Sequence, residues 1–234
     1  MINLKFLGCG SGYNPQMNNT NAYFTIEDNF YLIDCGFTSF QNVIQLDDFK
    51  NTQTVTIFVT HLHADHAGSL PMLVSYCLNI MKIKCSIVFP LTTVKDLLLL
   101  MGIPDNEYDY YPSWNHIGKK GKLEVEVYEV DHTPLMKCFS YSFTYEKSTF
   151  YISGDSATIP EKVIFQFKEG EIDRIYQDTM SGKGLHPSHG TLQMLDSIFT
   201  PDLRNRVFCT HYNKDFRSTI REHGYGIIYE YSKN

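Results

Sequence analysis

A run of β-branched and aromatic residues, Thr54 to Thr60, leads directly into His61-Leu62-His63-Ala64-Asp65-His66, and this junction constrains the chain more than any other stretch. Residues of the first kind fit a buried strand. Three imidazoles and a carboxylate crowded into the next six positions are costly to bury unless a cation draws them together. The fold must therefore bury a strand and open its C-terminal end onto a site. Nitrogen and oxygen donors in this mixture suit zinc-type ions, and strand ends opening onto loops are the usual place for active sites in mixed α/β folds. A solvated turn is the other reading of the same six residues.

If the segment is a metal site, later strands must end in further ligands. Three do. His132 follows Val127-Tyr128-Glu129-Val130, Asp155 follows Thr149-Phe150-Tyr151-Ile152-Ser153-Gly154, and His211 follows Val207-Phe208-Cys209-Thr210. With His61, His63, Asp65 and His66 they make five imidazoles and two carboxylates. That set suffices for two ions with three protein ligands each and one carboxylate shared.

The same patterning predicts the remaining elements. Strands are expected at 3–7, 22–26, 30–33, 86–89, 123–130, 140–145, 149–152, 174–176 and 206–210. Helices are expected at 67–81, with Pro71 tolerated in the first turn, and at 93–101, 160–167 and 191–199. No fixed-period repeat, low-complexity tract or linker divides the chain. Residues 1–234 read as one domain, a length that can bury a core without staples.

Composition narrows the function classes. The net charge is −6, and the only basic knot is Lys119-Lys120 with Lys122, so the chain lacks the electrostatic footprint of a nucleic-acid binder. Six cysteines (Cys9, Cys35, Cys77, Cys85, Cys138 and Cys209) show no CxxC pair and read as reduced core residues of a cytoplasmic protein. The N-terminus has neither the basic head nor the apolar length of a signal peptide, and no apolar run approaches the roughly 20 residues needed to span a bilayer.

Taken in order, the segment His61 to His66, the lone His132, the Gly154-Asp155 pair and the strand-ending His211 resemble the metallo-β-lactamase superfamily over nearly the whole chain. Phe6-Leu7-Gly8-Cys9-Gly10-Ser11-Gly12, Asn19-Thr20-Asn21, Leu32-Ile33-Asp34-Cys35-Gly36 and His189-Gly190-Thr191 are similar to the ribonuclease Z branch. That resemblance implies an α/β fold, an αββα sandwich of two mixed β-sheets flanked by helices with the metals at one edge. It also implies that His61, His63 and His132 hold one ion, that Asp65, His66 and His211 hold the second, and that Asp155 bridges both. Two Zn(2+) per chain are implied, with manganese or iron as alternatives. A His at position 63, where iron-dependent oxidoreductase relatives carry a carboxylate, favours zinc hydrolysis. A homodimer is a further implication of the family alone.

Two divalent ions set against Asp65, Asp155 and a bridging hydroxide leave the site about one unit positive, which suits a phosphodiester monoanion. The expected reaction is in-line attack by the bridging hydroxide. Asp65 and His189 are the candidate catalytic residues, His189 as proton donor with His186 as its substitute. Asp34 is either an outer support accepting a hydrogen bond from a ligand imidazole or a simple turn cap. Ribonuclease Z proteins clamp transfer RNA with a long basic arm inserted between the lone His and the Gly-Asp. Here only 22 residues separate His132 from Asp155, so a small-molecule substrate is expected, such as a cyclic nucleotide or cyclic sugar phosphate. Carbonyl hydrolysis of a lactone, thioester or β-lactam is the rival activity, and a non-catalytic metal-binding module is the third reading. Gly8 to Gly12 lacks the Lys-Ser/Thr ending of a nucleotide loop and is expected to let backbone lie close to the metal centre. His116 and His223 read as surface or packing residues. Tyr108, Tyr110, Tyr111 and Trp114 read as a substrate wall or a dimer surface.

Overall fold

The computed structural model describes residues 2–114 and 123–231. His116, Lys119, Lys120 and Lys122 lie outside the described residues.

Strands β1 (Lys5–Phe6), β2 (Ala22–Ile26), β3 (Asn29–Ile33), β4 (Thr54–Phe58), β5 (Ser86–Val88) and β6 (Asp109–Tyr111) form one sheet in that order. Strands β7 (Leu123–Val130), β8 (Cys138–Tyr145), β9 (Ser148–Ile152), β10 (Arg174–Asp178), β11 (Val207–Thr210) and β12 (Gly226–Ile227) form the other, also in chain order. In each sheet the first three strands pair antiparallel and the rest parallel. The two halves of the chain thus repeat one topology that no sequence period reveals. Even their hairpins agree: Ile26 pairs with Asn29 and Tyr145 with Ser148 around two-residue turns, with Glu27 (φ 53°) and Glu146 (φ 57°) both left-handed. Such turns match the right-handed twist of the flanking strands.

The inner faces meet through aromatic side chains, and one continuous apolar core joins the two sheets. Phe24 packs edge-on against Phe143 and Phe150, Phe58 against Phe143 and Tyr141, and Phe6 lies 5.4 Å from Tyr176 between ring centres. All six cysteines are buried and unpaired, five of them (all but Cys138) within this core. Outside lie α1 (Ser39–Val43), α2 (Asp47–Lys50), α3 (Ala64–Ala67), α4 (Leu70–Tyr76), α5 (Thr93–Leu100), α6 (Glu161–Lys168), α7 (Leu192–Ile198) and α8 (Arg217–Glu222). This is the expected sandwich of two mixed sheets flanked by helices. No helix among the described residues is long and apolar enough to cross a membrane.

The helix predicted over 67–81 is broken. A short α3 turn carries the end of the histidine motif, α4 follows with Pro71 in its first turn, and a π-turn over Cys77–Met81 ends at left-handed Lys82. The aromatic cluster lies apart from the metal-ligand candidates. Tyr108 is buried, Trp114 packs on Tyr31 and Phe58 and donates to the Leu123 carbonyl, and none of the four residues lines the cavity described below.

Candidate metal centre

Because β7, β9, β10 and β11 run the same way, their C-terminal ends lie together and meet those of β3 and β4. The side chains leaving these ends converge. Asp34 follows β3 and His61 follows β4; His132, Asp155 and His211 follow β7, β9 and β11. His63 is the last extended residue before α3 (ψ 153°), so His61 and His63 share a direction while Asp65 and His66 turn away on the first helical turn. Several of these strand ends are conformationally unusual. Asp34 (φ 64°), Gly154 (φ 58°) and His211 (φ 61°) are all left-handed, a conformation that non-glycine residues adopt at a cost and that concentrates at functional sites. A Cβ on Gly154 would lie 2.7 Å from Thr60, and one on Gly12 would lie 2.8 Å from Asp65 Oδ2. The glycine-rich loop therefore does bring backbone against the site.

Two donor clusters result. In the first, His63 Nδ1 lies 3.0 Å from His61 Nε2 and 3.3 Å from His132 Nε2, and Asp155 Oδ2 lies 3.9 and 3.6 Å from those two Nε2 atoms. In the second, Asp65 Oδ2 lies 3.5 Å from His66 Nε2 and 3.3 Å from His211 Nε2, and Asp155 Oδ1 lies 3.1 and 3.3 Å from the same nitrogens. Asp155 thus turns one oxygen to each cluster. Two ligands held about 2.0–2.1 Å from a tetrahedral ion stand about 3.3 Å apart, and the observed spacings bracket that value.

The outer contacts orient these rings. His66 Nδ1 donates to Asp34 Oδ2 at 2.8 Å, and His132 Nδ1 donates to the Ser188 carbonyl at 2.8 Å. Their Nε2 atoms therefore face inward as the nitrogens available to an ion. Although 3.1 Å apart, His66 Nε2 and Asp155 Oδ1 are both buried without a hydrogen-bond partner, an arrangement a cation between them would satisfy. Electrostatics agree. Burial pushes Asp65 up, but the His211 and His66 imidazoles beside it override this and hold the carboxyl well below its usual range. Burial likewise opposes ionisation of Asp155, yet His211 and His66 hold it well down. His211, which burial would depress, is pushed up to about 10 by Asp155 and Asp178, and His66 is raised in the same way by Asp155 and Asp34. His61 and His63 go the other way, lowered by burial and then by neighbouring imidazoles. Asp34 is pushed up by its complete burial, opposed by His66 and two hydrogen bonds from Thr60. The carboxylate-rich side draws positive charge and the imidazole-rich side keeps bare nitrogens, as expected of an ion-binding pair.

Sequence reasoning missed Asp178. The predicted strand stopped at Tyr176, but β10 continues and delivers Asp178 by the same rule that found Asp155 and His211: a polar residue at the end of an apolar strand. Its Oδ2 accepts from His189 Nδ1 at 2.6 Å and from the Ser156 amide at 3.0 Å, and its Oδ1 lies 3.4 Å from His211 Nδ1. Burial would lower His189, but Asp178 raises it above its ordinary value. His186 uses its Nδ1 to accept the Ser188 and His189 amides, so it shapes this loop. His223 lies apart, donating to Asp196 at 2.8 Å. The donors open onto a cavity of about 570 Å3 whose walls include Tyr13, Phe37, His186, His189 and Asn213.

This fold and donor set define a metal-dependent hydrolase of the metallo-β-lactamase fold. Among solved structures, the metallo-β-lactamase fold protein YhfI from Bacillus subtilis superposes with a TM-score of 0.73 at 13% identity, covering 98% of this chain and 95% of that one. The model of the anti-Pycsar protein Apyc1 family matches residues 2–230, and the chain belongs to that family. The anti-Pycsar protein Apyc1 of Paenibacillus sp. (strain J14) is 28% identical over 234 residues, covering 93% of this chain and 91% of that protein. A ribonuclease Z of Pediococcus pentosaceus is 30% identical over 142 residues, 56% of this chain and 46% of its own length.

Proposed function

We propose that the protein is a two-ion phosphodiesterase acting on a compact phosphodiester of the cyclic nucleotide or cyclic sugar phosphate type. The observation that carries this reading is the splitting of the two Asp155 oxygens between one cluster of three imidazoles and another of two imidazoles and a carboxylate. His61, His63 and His132 would hold one divalent cation and Asp65, His66 and His211 the other, zinc being favoured by the nitrogen-rich donors. When bound, the ions supply Lewis acidity and lower the pKa of water.

The protein's own groups supply the rest. His189 has its Nδ1 engaged by Asp178, which leaves Nε2 as the nitrogen able to meet a departing alkoxide. Asp178 acts on that oxygen only by orienting the ring and stabilising its charged form. The 22 residues between His132 and Asp155 include hairpin β8–β9, which leaves little chain for a nucleic-acid arm. A walled cavity of about 570 Å3 suits a small ester rather than a polymer. Hydrolysis of bis-(p-nitrophenyl) phosphate and of cyclic nucleotides by zinc- and manganese-loaded protein tests the reading, with a lactone as comparison. Turnover should disappear on dialysis against a chelator and return with zinc. Absence of phosphodiester turnover with either metal, or faster lactone opening, would overturn it.

A further inference from the structure

An imidazole can carry its proton on either ring nitrogen, so something must make His61 and His66, one on each ion position, present bare Nε2 atoms. Thr60 lies between two of them. Its Oγ1 is 2.8 Å from Asp34 Oδ2, 3.1 Å from His61 Nδ1 and 3.4 Å from His66 Nδ1, and the residue is fully buried. With Asp34 ionised, proton accounting leaves one arrangement. A carboxylate only accepts: Asp34 takes the Thr60 amide at Oδ1 (2.7 Å), and the Thr60 hydroxyl and His66 Nδ1–H at Oδ2. With its single proton on Asp34, the hydroxyl oxygen can only accept at its third contact, and the donor there is His61 Nδ1–H. Both rings then turn Nε2 inward, His61 toward one ion position and His66 toward the other.

We propose that Thr60 is a positioning residue whose hydroxyl relays the hold of Asp34 to His61, so that one buried carboxylate orients an imidazole on each of the two ion positions. This rests on the two-ion reading above. Local packing supports it. Gly154 approaches the Thr60 side chain so closely that even a Cβ there would lie 2.7–2.9 Å from three of its atoms, and a β-branched residue has few rotamers to choose from. His132 takes its orientation from the Ser188 carbonyl instead, so the relay reaches only one of the three imidazoles on the first position.

The test compares wild type with T60V, T60A, T60S and D34N. Zinc affinity and stoichiometry are measured by competition with a chromophoric chelator, and histidine tautomers by 15N NMR of the metal-free proteins. Loss of an outer-shell partner lowers metal affinity by about 10- to 100-fold. T60V should weaken one of two zinc equivalents by that factor and populate the second tautomer of His61, with His66 unchanged. T60S should restore both readouts, and D34N should weaken both equivalents. T60A carries the same expectation as T60V if valine folds poorly. Two wild-type-like zinc affinities in T60V and T60A, or a T60S that behaves like them, would overturn the relay while leaving the two-ion reading intact. Fewer than two zinc equivalents in wild type would instead remove that reading, and the relay with it.

Discussion

The two sheets repeat one topology but supply the site in opposite ways. From the first, the segment His61 to His66 gives four donors within six consecutive residues. From the second, His132, Asp155, Asp178, His189 and His211 come from separate strand ends and one loop, spread over 80 positions. The compact group is built by local geometry, an extended pair followed by a helical turn. The dispersed group exists only once four strands align, so its donors are held by the whole sheet. Replacing a single donor of the first half should therefore disturb one ion position locally, whereas a change at the seam can disturb both.

Asp155 is that seam, and the largest effect is expected there. D155N removes a charge facing both clusters, and zinc content should fall on both positions. Activity should drop by more than about 100-fold, beyond the range of an outer-shell change. Elemental analysis beside a phosphodiesterase assay checks this; a variant that keeps two zincs and most of its rate would break the comparison. Next comes H189A. It should retain zinc and lose about 10²- to 10⁴-fold in kcat on an alkoxide leaving group, but far less on p-nitrophenolate, which departs without a proton. Equal losses on the two substrates would deny His189 its role as donor.

How far the sequence reaches follows from the same contrast. The compact donors were legible because spacing alone carries them, and three dispersed ones because each ends an apolar strand. Asp178 obeys the same rule and escaped only because Gln177-Asp178 hid the last two residues of β10 behind polar letters, although both side chains are buried. The helix expected over 67–81 was drawn as one piece because apolar periodicity cannot register that Ala64–Ala67 forms a separate turn and that α4 begins only at Leu70. Tyr108 and Trp114 read as a wall or a dimer surface, as aromatics in a polar stretch do, but Tyr108 belongs to the core and Trp114 packs against it. The repeated topology was invisible because it resides in strand pairing, and pairing is set by tertiary contacts.

A smaller effect is expected at Asp178, since it acts through a neighbour. D178N should lower kcat by about 10- to 100-fold, and by much less when His189 is already alanine, because residues working as a unit are not additive. Full additivity in that double-mutant cycle would mean that Asp178 acts on its own, through its 3.4 Å approach to His211.

The smallest effect is expected at His223, the dispersed histidine that does not converge. Like His189 it has a carboxylate partner, Asp196 Oδ2 at 2.8 Å, but its side chain is 37% exposed and it sits at the C-cap of α8, away from every donor cluster. Exposed pairs of this kind contribute about 0–1 kcal/mol. H223A should therefore shift urea unfolding slightly and leave zinc content and kcat/KM at wild-type values. The contrast with H189A is the sharpest available: two histidines in the second half, each paired with an aspartate, differ in whether a strand end has carried the pair into the site. If H223A cost as much activity as H189A, convergence of strand ends would no longer explain which histidines matter.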